Sequence, residues 1–306
     1  MGHTFSDQLL HQAACEFVPV MRNPWTSARE AAVRRLTASH LAGPAIEDAL
    51  RIYGEARKRG WTGIISPWLS GDLHPGAAAA SFSSALRAII KNAPDCHLSI
   101  KIQAVRYDAA SLEELFTLSA EHGIRICIDS LDISTADPTH SFIDSVLPRW
   151  KNLGCTLPAR WRRSLDDARR VIEWGIPVRI VKGQWSDGIT TNSECRRSYL
   201  KIVDLLAGKV PVIGVATHDR SLAQDALRRL TAANAKCEME QLSCLPQNCH
   251  SLASSLDVPF RIYVPYGFPS LPYSVRSVST RPAVVVWALR DFIAGRHRKL
   301  APVDRR

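Results

Sequence analysis

Short apolar runs rich in β-branched residues alternate along this chain with longer segments of helical periodicity. Each run predicts a strand, because strands are short and rich in such residues. The runs are nearly continuous in hydrophobicity, which is typical of parallel strands buried on both faces. The predicted strands lie at about 62–69, 97–105, 124–131, 153–160, 177–185, 211–219, 235–243 and 260–267.

The segments between these runs predict helices, two of which end in AEHG and IEWG, where the glycine has the position of a helix cap. Eight strand–helix units over roughly 240 residues indicate an α/β fold, a (βα)8 TIM-type barrel. A doubly wound sheet usually has a glycine-rich turn after its first strand, and SPWLSGDLHPG is not of that kind. We expect residues 1–60 to form a helical segment packed on the barrel and residues 61–306 to form the barrel.

Composition narrows the class of protein further. The 306 residues carry a net charge of +10, but the lysines and arginines are spread out. This spread favours solvated helix faces, with anionic phosphates or an acidic membrane surface as the alternatives. Basic and aromatic residues do not alternate on a nucleic-acid-binding motif, so we expect no nucleic-acid partner.

The chain has no apolar run of membrane-spanning length and no signal-peptide pattern at its beginning. Its eight cysteines are scattered without a CxxC pair, which is typical of reduced cysteines. We therefore expect a cytoplasmic protein with at most peripheral membrane contact. The segment CLPQNCH lacks the spacing and the fourth ligand of a zinc site, so no metal is expected.

Polar residues at the carboxyl ends of the strands are the candidates for chemistry, since active sites of barrels lie there. Buried cations are rarely structural, because an unpaired buried charge is costly. Purely structural roles remain as alternatives. Asp129 could serve only to neutralise Lys101, His218 could be a buried histidine with its hydrogen bonds satisfied by the protein, and Tyr263 could serve only to pack in the core. The candidates at or near these ends are Lys101, Asp129, Arg179, Lys182, Trp185, His218, Glu240 and Tyr263.

Three stretches carry a resemblance to a known family: RIVKGQW, VATHD and RIYVPYG followed by YSVRS and RPA. In this order, with SIKIQAV and CIDS, they resemble the flavin-dependent proline dehydrogenases. These are FAD-binding (βα)8 barrels that oxidise proline to pyrroline-5-carboxylate. The resemblance implies an oxidoreductase acting on CH–NH donors, with FAD as cofactor, an amino acid or amine as substrate, and a quinone or another electron acceptor.

The resemblance also implies roles for single residues. Arg179 and Lys182 would face the flavin and its phosphate side, and Thr217 and His218 would hold the ribityl–pyrophosphate. The same resemblance places three more residues at the cofactor: Gly183, Trp185 and Glu240. On the substrate side, Lys101 and Asp129 would line the pocket, Tyr263 would form a wall, and Tyr273 and Arg276 would clamp the substrate carboxylate from a final helix over the barrel mouth.

The chain departs from the family mainly around the expected reaction centre. The family usually has two consecutive arginines in the final helix, whereas this chain has Arg276 followed by Ser277. Glutamines of the fourth and seventh strands are replaced by Pro158 and Glu240. The remaining departures are Pro67, Gln184, Trp185 and Thr280.

These departures leave three readings open. The first is a dehydrogenase that takes a hydride from the carbon beside nitrogen in proline or a related cyclic amino acid or amine, giving an imine. The second is a barrel that binds a ligand without redox chemistry. The third is a flavin-free enzyme that uses Lys101, Asp129 and Glu240 for acid–base chemistry.

Overall fold

The strands close into a barrel in which every strand is parallel to its neighbours. The computed structural model describes residues 41–69, 73–183, 187 and 191–268. Each strand pairs with the next along the chain, and β8 closes the ring by pairing with β1 from Thr62↔Arg261 to Trp68↔Gly267. The strands are β1 Thr62–Trp68, β2 His97–Ile100, β3 Ile126–Ile128, β4 Leu153–Pro158, β5 Val178–Val181, β6 Ile213–Ala216, β7 Cys237–Leu242 and β8 Phe260–Gly267.

Helices follow each of the first seven strands and pack outside the ring. Together with the closed sheet they confirm the predicted (βα)8 barrel. A further helix, α1, precedes β1 and packs against β1 and β8. The helices are α1 Ile46–Arg57, α2 Pro75–Asn92, α3 Glu113–His122, α4 Ala136–Val146, α5 Ser164–Trp174, α6 Asn192–Leu206, α7 Arg220–Ala232 and α8 His250–Ser255. None of the helices in the described ranges is long and apolar enough to cross a membrane.

Local chemistry sets several of these boundaries. Gly123 and Gly175 end α3 and α5 in the left-handed conformation, at φ 65° and 63°, which confirms the two predicted glycine caps. Thr191 and Glu194 form a capping box at the start of α6. Several strands were predicted too long: β2 ends at Ile100, where residues 102–105 form a 3₁₀ helix instead, and β3, β5 and β6 also end before the predicted bounds.

Glycines inside the barrel make room for charged side chains. A Cβ atom on Gly214 of β6 would lie 2.3 Å from Oε1 of Glu240, and one on Gly154 of β4 would lie 3.2 Å from Cδ of Arg125. Small residues on the even strands therefore admit long charged residues from their neighbours, so the ring interior is filled by ion pairs as well as by aliphatic side chains.

Ion pairs occupy both ends of the barrel interior. At the amino end, Arg261 donates to Oε2 of Glu238 at 2.9 Å and to the carbonyl of Gly63 at 2.9 Å. His97 and Arg125 lie beside them around a small cavity. Burial, reinforced by Arg261 and Arg125, lowers the pKa of His97 to about 2, so this imidazole is neutral. We call His97, Arg125, Glu238 and Arg261 the amino-end cluster.

Candidate active site

At the opposite end of the barrel, Asp129 is the centre of a second buried network. Its Oδ1 atom accepts hydrogen bonds from Thr156 Oγ1 at 3.0 Å and from Arg179 Nη1 at 3.2 Å. Its Oδ2 atom accepts from the hydroxyl of Tyr263 at 2.7 Å and lies 3.6 Å from Lys101 Nζ. Burial opposes ionisation here, but Lys101, Arg179 and the Tyr263 hydroxyl outweigh it and hold the pKa of this carboxyl below its usual value.

Arg179 joins Asp129 to Glu240. Its Nε donates to Glu240 Oε2 at 2.5 Å, and its guanidinium carbon lies 4.7 Å from the centre of the Tyr263 ring. Burial opposes the charge, but Glu240 and Asp129 together raise the pKa of the guanidinium well above its usual value. The side chain therefore stays cationic, and it points into the ring, which strand parity alone left undecided.

Lys101 completes the network on the β1 side. Its ammonium lies 3.3 Å from Ser66 Oγ and 4.9 Å from the centre of the Trp68 ring. Burial lowers its pKa, although Asp129 opposes that effect. Burial also raises the pKa of Tyr263, so this hydroxyl keeps its proton and donates a hydrogen bond to Asp129. We call Lys101, Asp129, Arg179, Glu240 and Tyr263 the carboxyl-end cluster.

Two adjoining cavities open above this cluster, and they share Arg179, Val181 and Tyr263 as walls. The first, of about 200 Å³, lies on the β1–β5 side and is also lined by Lys101, Asp129, Pro158 and Gly183. The second, of about 180 Å³, lies on the β5–β8 side and is also lined by Thr217, His218 and Glu240. The residues predicted for the substrate and those predicted for the ribityl–pyrophosphate thus line different cavities with a common wall.

Lys182 and Gly183 follow β5 at the rim. Nζ of Lys182 lies 2.7 Å from Asp219 Oδ2, and this side chain is 41% exposed, unlike the buried Arg179. Gly183 has φ 87°, and a Cβ atom there would lie 2.9 Å from Cβ of Pro158. Only glycine combines this conformation with such a close approach to the end of β4.

His218 holds a loop of the protein with its ring. Nε2 accepts the backbone N–H of Leu242 at 2.9 Å, and Nδ1 lies 3.3 Å from the carbonyl oxygen of Pro246. Burial lowers its pKa to about 4, so the ring is neutral, and because Nε2 accepts the Leu242 N–H the proton lies on Nδ1, facing the carbonyl of Pro246. The neighbouring Thr217 is buried, and its hydroxyl oxygen accepts the N–H of Asp219 at 3.1 Å.

Not every predicted residue can be placed. Trp185, Tyr273 and Arg276, like Gln184 and Ser277, lie outside the described residues. The structure in turn adds residues that the sequence reasoning missed, namely Thr156, Ser66 and Trp68. Side chains two residues apart on a strand point to the same face, as Thr156 and Pro158 do on β4 and Ser66 and Trp68 do on β1. This alternation is the sequence signal that could have identified the three residues.

The sequence and fold of the chain were compared with those of known proteins. No family model matches the chain. Proline dehydrogenase 1 of Bacillus subtilis subsp. natto is 23% identical over 274 residues, covering 83% of this chain and 89% of that protein.

Among solved structures, proline utilization A (PutA) from Bdellovibrio bacteriovorus is similar with a TM-score of 0.70 and 15% identity, covering 87% of this chain and 36% of that one. PutA from Corynebacterium freiburgense has a TM-score of 0.66 and 18% identity, covering 92% and 35%. The chain therefore spans about a third of the length of these PutA proteins, and the structural likeness shows the shared fold. With the similarity to the curated enzyme, the resemblance inferred from the motifs is confirmed: this chain is a divergent relative of the proline dehydrogenases.

Proposed function

We propose that this protein is an FAD-dependent dehydrogenase that oxidises the carbon beside nitrogen in proline or a related cyclic amino acid or amine, giving an imine. The observation that carries the proposal is the pair of adjoining cavities over the carboxyl-end cluster. A flavin needs an extended groove with a buried cation near its ring and donors along its tail, and Arg179 in the wall shared by the two cavities supports the first of these requirements.

The residues present fit this cofactor on the ring side. Arg179 is buried and cationic, as is needed beside a ring that gains electrons. Along the tail, Lys182 and the Thr217 hydroxyl would hold the phosphates and the ribityl chain. When bound, FAD would supply the acceptor for the hydride, and the electrons would then pass to a quinone or another acceptor.

The substrate would bind in the larger cavity. Lys101 and Asp129 would fix its orientation there, because their own positions are set by contacts to Ser66, Thr156 and Tyr263. The aromatic wall of Tyr263 and Trp68 would exclude water from the reacting carbon.

A flavin-free acid–base enzyme is the second candidate. It is favoured by one observation, the lowered pKa of Lys101 at 3.6 Å from Asp129. The two candidates differ in one simple property, since only the first requires a yellow protein.

The test is the absorbance of the purified protein after incubation with FAD and gel filtration. We expect stoichiometric flavin in the wild type and its loss in Arg179→Ala and Lys182→Ala, because Arg179 lines both cavities and Lys182 would meet the phosphates at their rim. Arg229→Ala is the matched control, since it breaks the Arg229–Asp204 pair on the outer helices. A wild type that retains no FAD would exclude the dehydrogenase, and full FAD affinity in both site variants would exclude this placement of the flavin.

A further inference from the structure

The carboxyl-end cluster compensates its own charges. Glu240 takes the Nε edge of Arg179, and Asp129 takes its Nη1 as well as the ammonium of Lys101. Two cations and two carboxylates therefore face one another, and all four side chains are at most 15% exposed. Among the described residues that line the two cavities, no cation lacks a carboxylate partner.

Glu240 is the member of this cluster with the simplest contacts. One of its oxygens pairs with Arg179, and the other occupies the space left by Gly214, where a Cβ atom would lie 2.3 Å away. The side chain is 2% exposed, and burial raises the pKa of this carboxyl, whereas the ion pair and hydrogen bond with Arg179 oppose that effect and favour the charged form. A carboxylate brought in by a ligand would be a third buried carboxylate beside two cations.

We propose that Glu240 is a specificity-determining residue, whose ion pair with Arg179 selects cyclic amines in which the carboxyl group is absent, esterified or amidated over free amino acids. The inference rests on the proposed function and narrows its substrate class. A neutral group can enter a charge-balanced site without displacing an ion pair, whereas a free carboxylate must compete with Asp129 and Glu240 for the same donors.

Cyclopentanecarboxylate and cyclopentanecarboxamide are suitable probes. They share a five-membered ring, differ in charge, and have no amine whose carbon could be oxidised. Their affinities are measured by calorimetry at neutral pH, with and without added FAD, so that the result does not depend on turnover.

We expect wild type to bind the amide at least as tightly as the carboxylate. Glu240→Gln keeps the shape but removes the charge, and should move the carboxylate-to-amide ratio about tenfold or more towards the carboxylate, about 1.4 kcal/mol. Glu240→Asp keeps the charge and should retain the wild-type preference.

Glu238→Gln is the matched control. Glu238 lies two residues earlier on β7, pairs with Arg261 at the amino end of the barrel and lines neither of the two cavities, although it shares the small amino-end cavity with Glu240. The same change of charge there should leave the ratio of affinities within about threefold, which separates a local effect from a general change in net charge.

Three results would overturn the inference. The first is a wild type that prefers the carboxylate by tenfold or more, which is the result that a carboxylate clamp by Arg276 would produce. The second is an unchanged ratio of affinities in Glu240→Gln, and the third is a wild type that shows no saturable binding of either probe. The proposed function is judged separately by retention of FAD, so a yellow protein that prefers the carboxylate would sink the inference and leave the dehydrogenase standing.

Discussion

The two ends of the barrel hold buried ion pairs of the same chemistry in different surroundings. Glu238 and Glu240 are separated by one residue on β7, and each is paired with an arginine, Arg261 or Arg179. The carboxyl-end pair is open to the two cavities at the barrel mouth, whereas the amino-end pair borders only the small cavity, which Arg179 and Glu240 also line, and bonds to the backbone carbonyl of Gly63. In barrels the carboxyl end carries the chemistry and the amino end carries stability, so we expect similar substitutions to have different consequences at the two ends.

The largest expected effect on stability is at the amino end. Arg261→Ala leaves Glu238 buried without its cation, so the free energy of unfolding should fall by about 3–5 kcal/mol. Urea unfolding measures this loss. The double variant Arg261→Met with Glu238→Leu should recover most of it, because removing both charges removes the uncompensated one.

The same Arg261→Ala variant should differ from the carboxyl-end variants in its affinity for FAD. Folded Arg261→Ala protein should bind FAD with an affinity within about threefold of wild type, since this residue borders neither cavity. Lost flavin with unchanged stability would reverse the assignment of the two ends.

The sequence predicted the barrel and the position of the site at its carboxyl end, but not the ion pairs that distinguish the two ends. Buried strands and glycine caps depend on local patterns, so the barrel was predicted with small errors in strand length. The end of β2 was wrong, because the 3₁₀ helix after Lys101 leaves no mark in hydrophobicity.

The pairing of side chains depends on long-range packing. Arg179 and Glu240 were predicted as site residues from the sequence, but their contact was not. The ion pair between Glu238 and Arg261 was not predicted at all. The room for Glu240 comes from Gly214, which lies on another strand and looks like an ordinary β-strand glycine in the sequence.

A medium effect on stability is expected at His218. This residue sharpens the comparison between the two ends of the barrel, because it lies at the carboxyl end but its ring bonds to the protein's own backbone. His218→Ala removes the acceptor of the Leu242 N–H, which should lower the free energy of unfolding by about 1–3 kcal/mol. Urea unfolding of the FAD-free protein measures it, with His122→Ala, an exposed histidine in the last turn of α3, as the control. Unchanged stability together with weakened FAD binding would mean that the ring serves the cofactor rather than the loop.

The smallest effect concerns the pH dependence of stability. The pKa of Asp129 is lower in the folded protein than in the unfolded chain, so its contribution is present at neutral pH and is lost as the pH falls below about 4. The stability difference between wild type and Asp129→Asn, measured by urea unfolding at several pH values, should therefore shrink towards acid. A difference that is constant with pH would mean that Asp129 is not ionised in the folded protein.

The most direct test of the account is anaerobic bleaching of bound flavin by proline and prolinamide in three proteins. Wild type and Glu238→Gln should be bleached by at least one of these amines at rates within about threefold of each other. Asp129→Asn, which removes the carboxylate shared by Lys101, Arg179 and Tyr263, should be slower by about a hundredfold or more. Bleaching of Asp129→Asn at the wild-type rate, or no bleaching of FAD-loaded wild type by either amine, would contradict the assignment of the carboxyl-end cluster to amine oxidation.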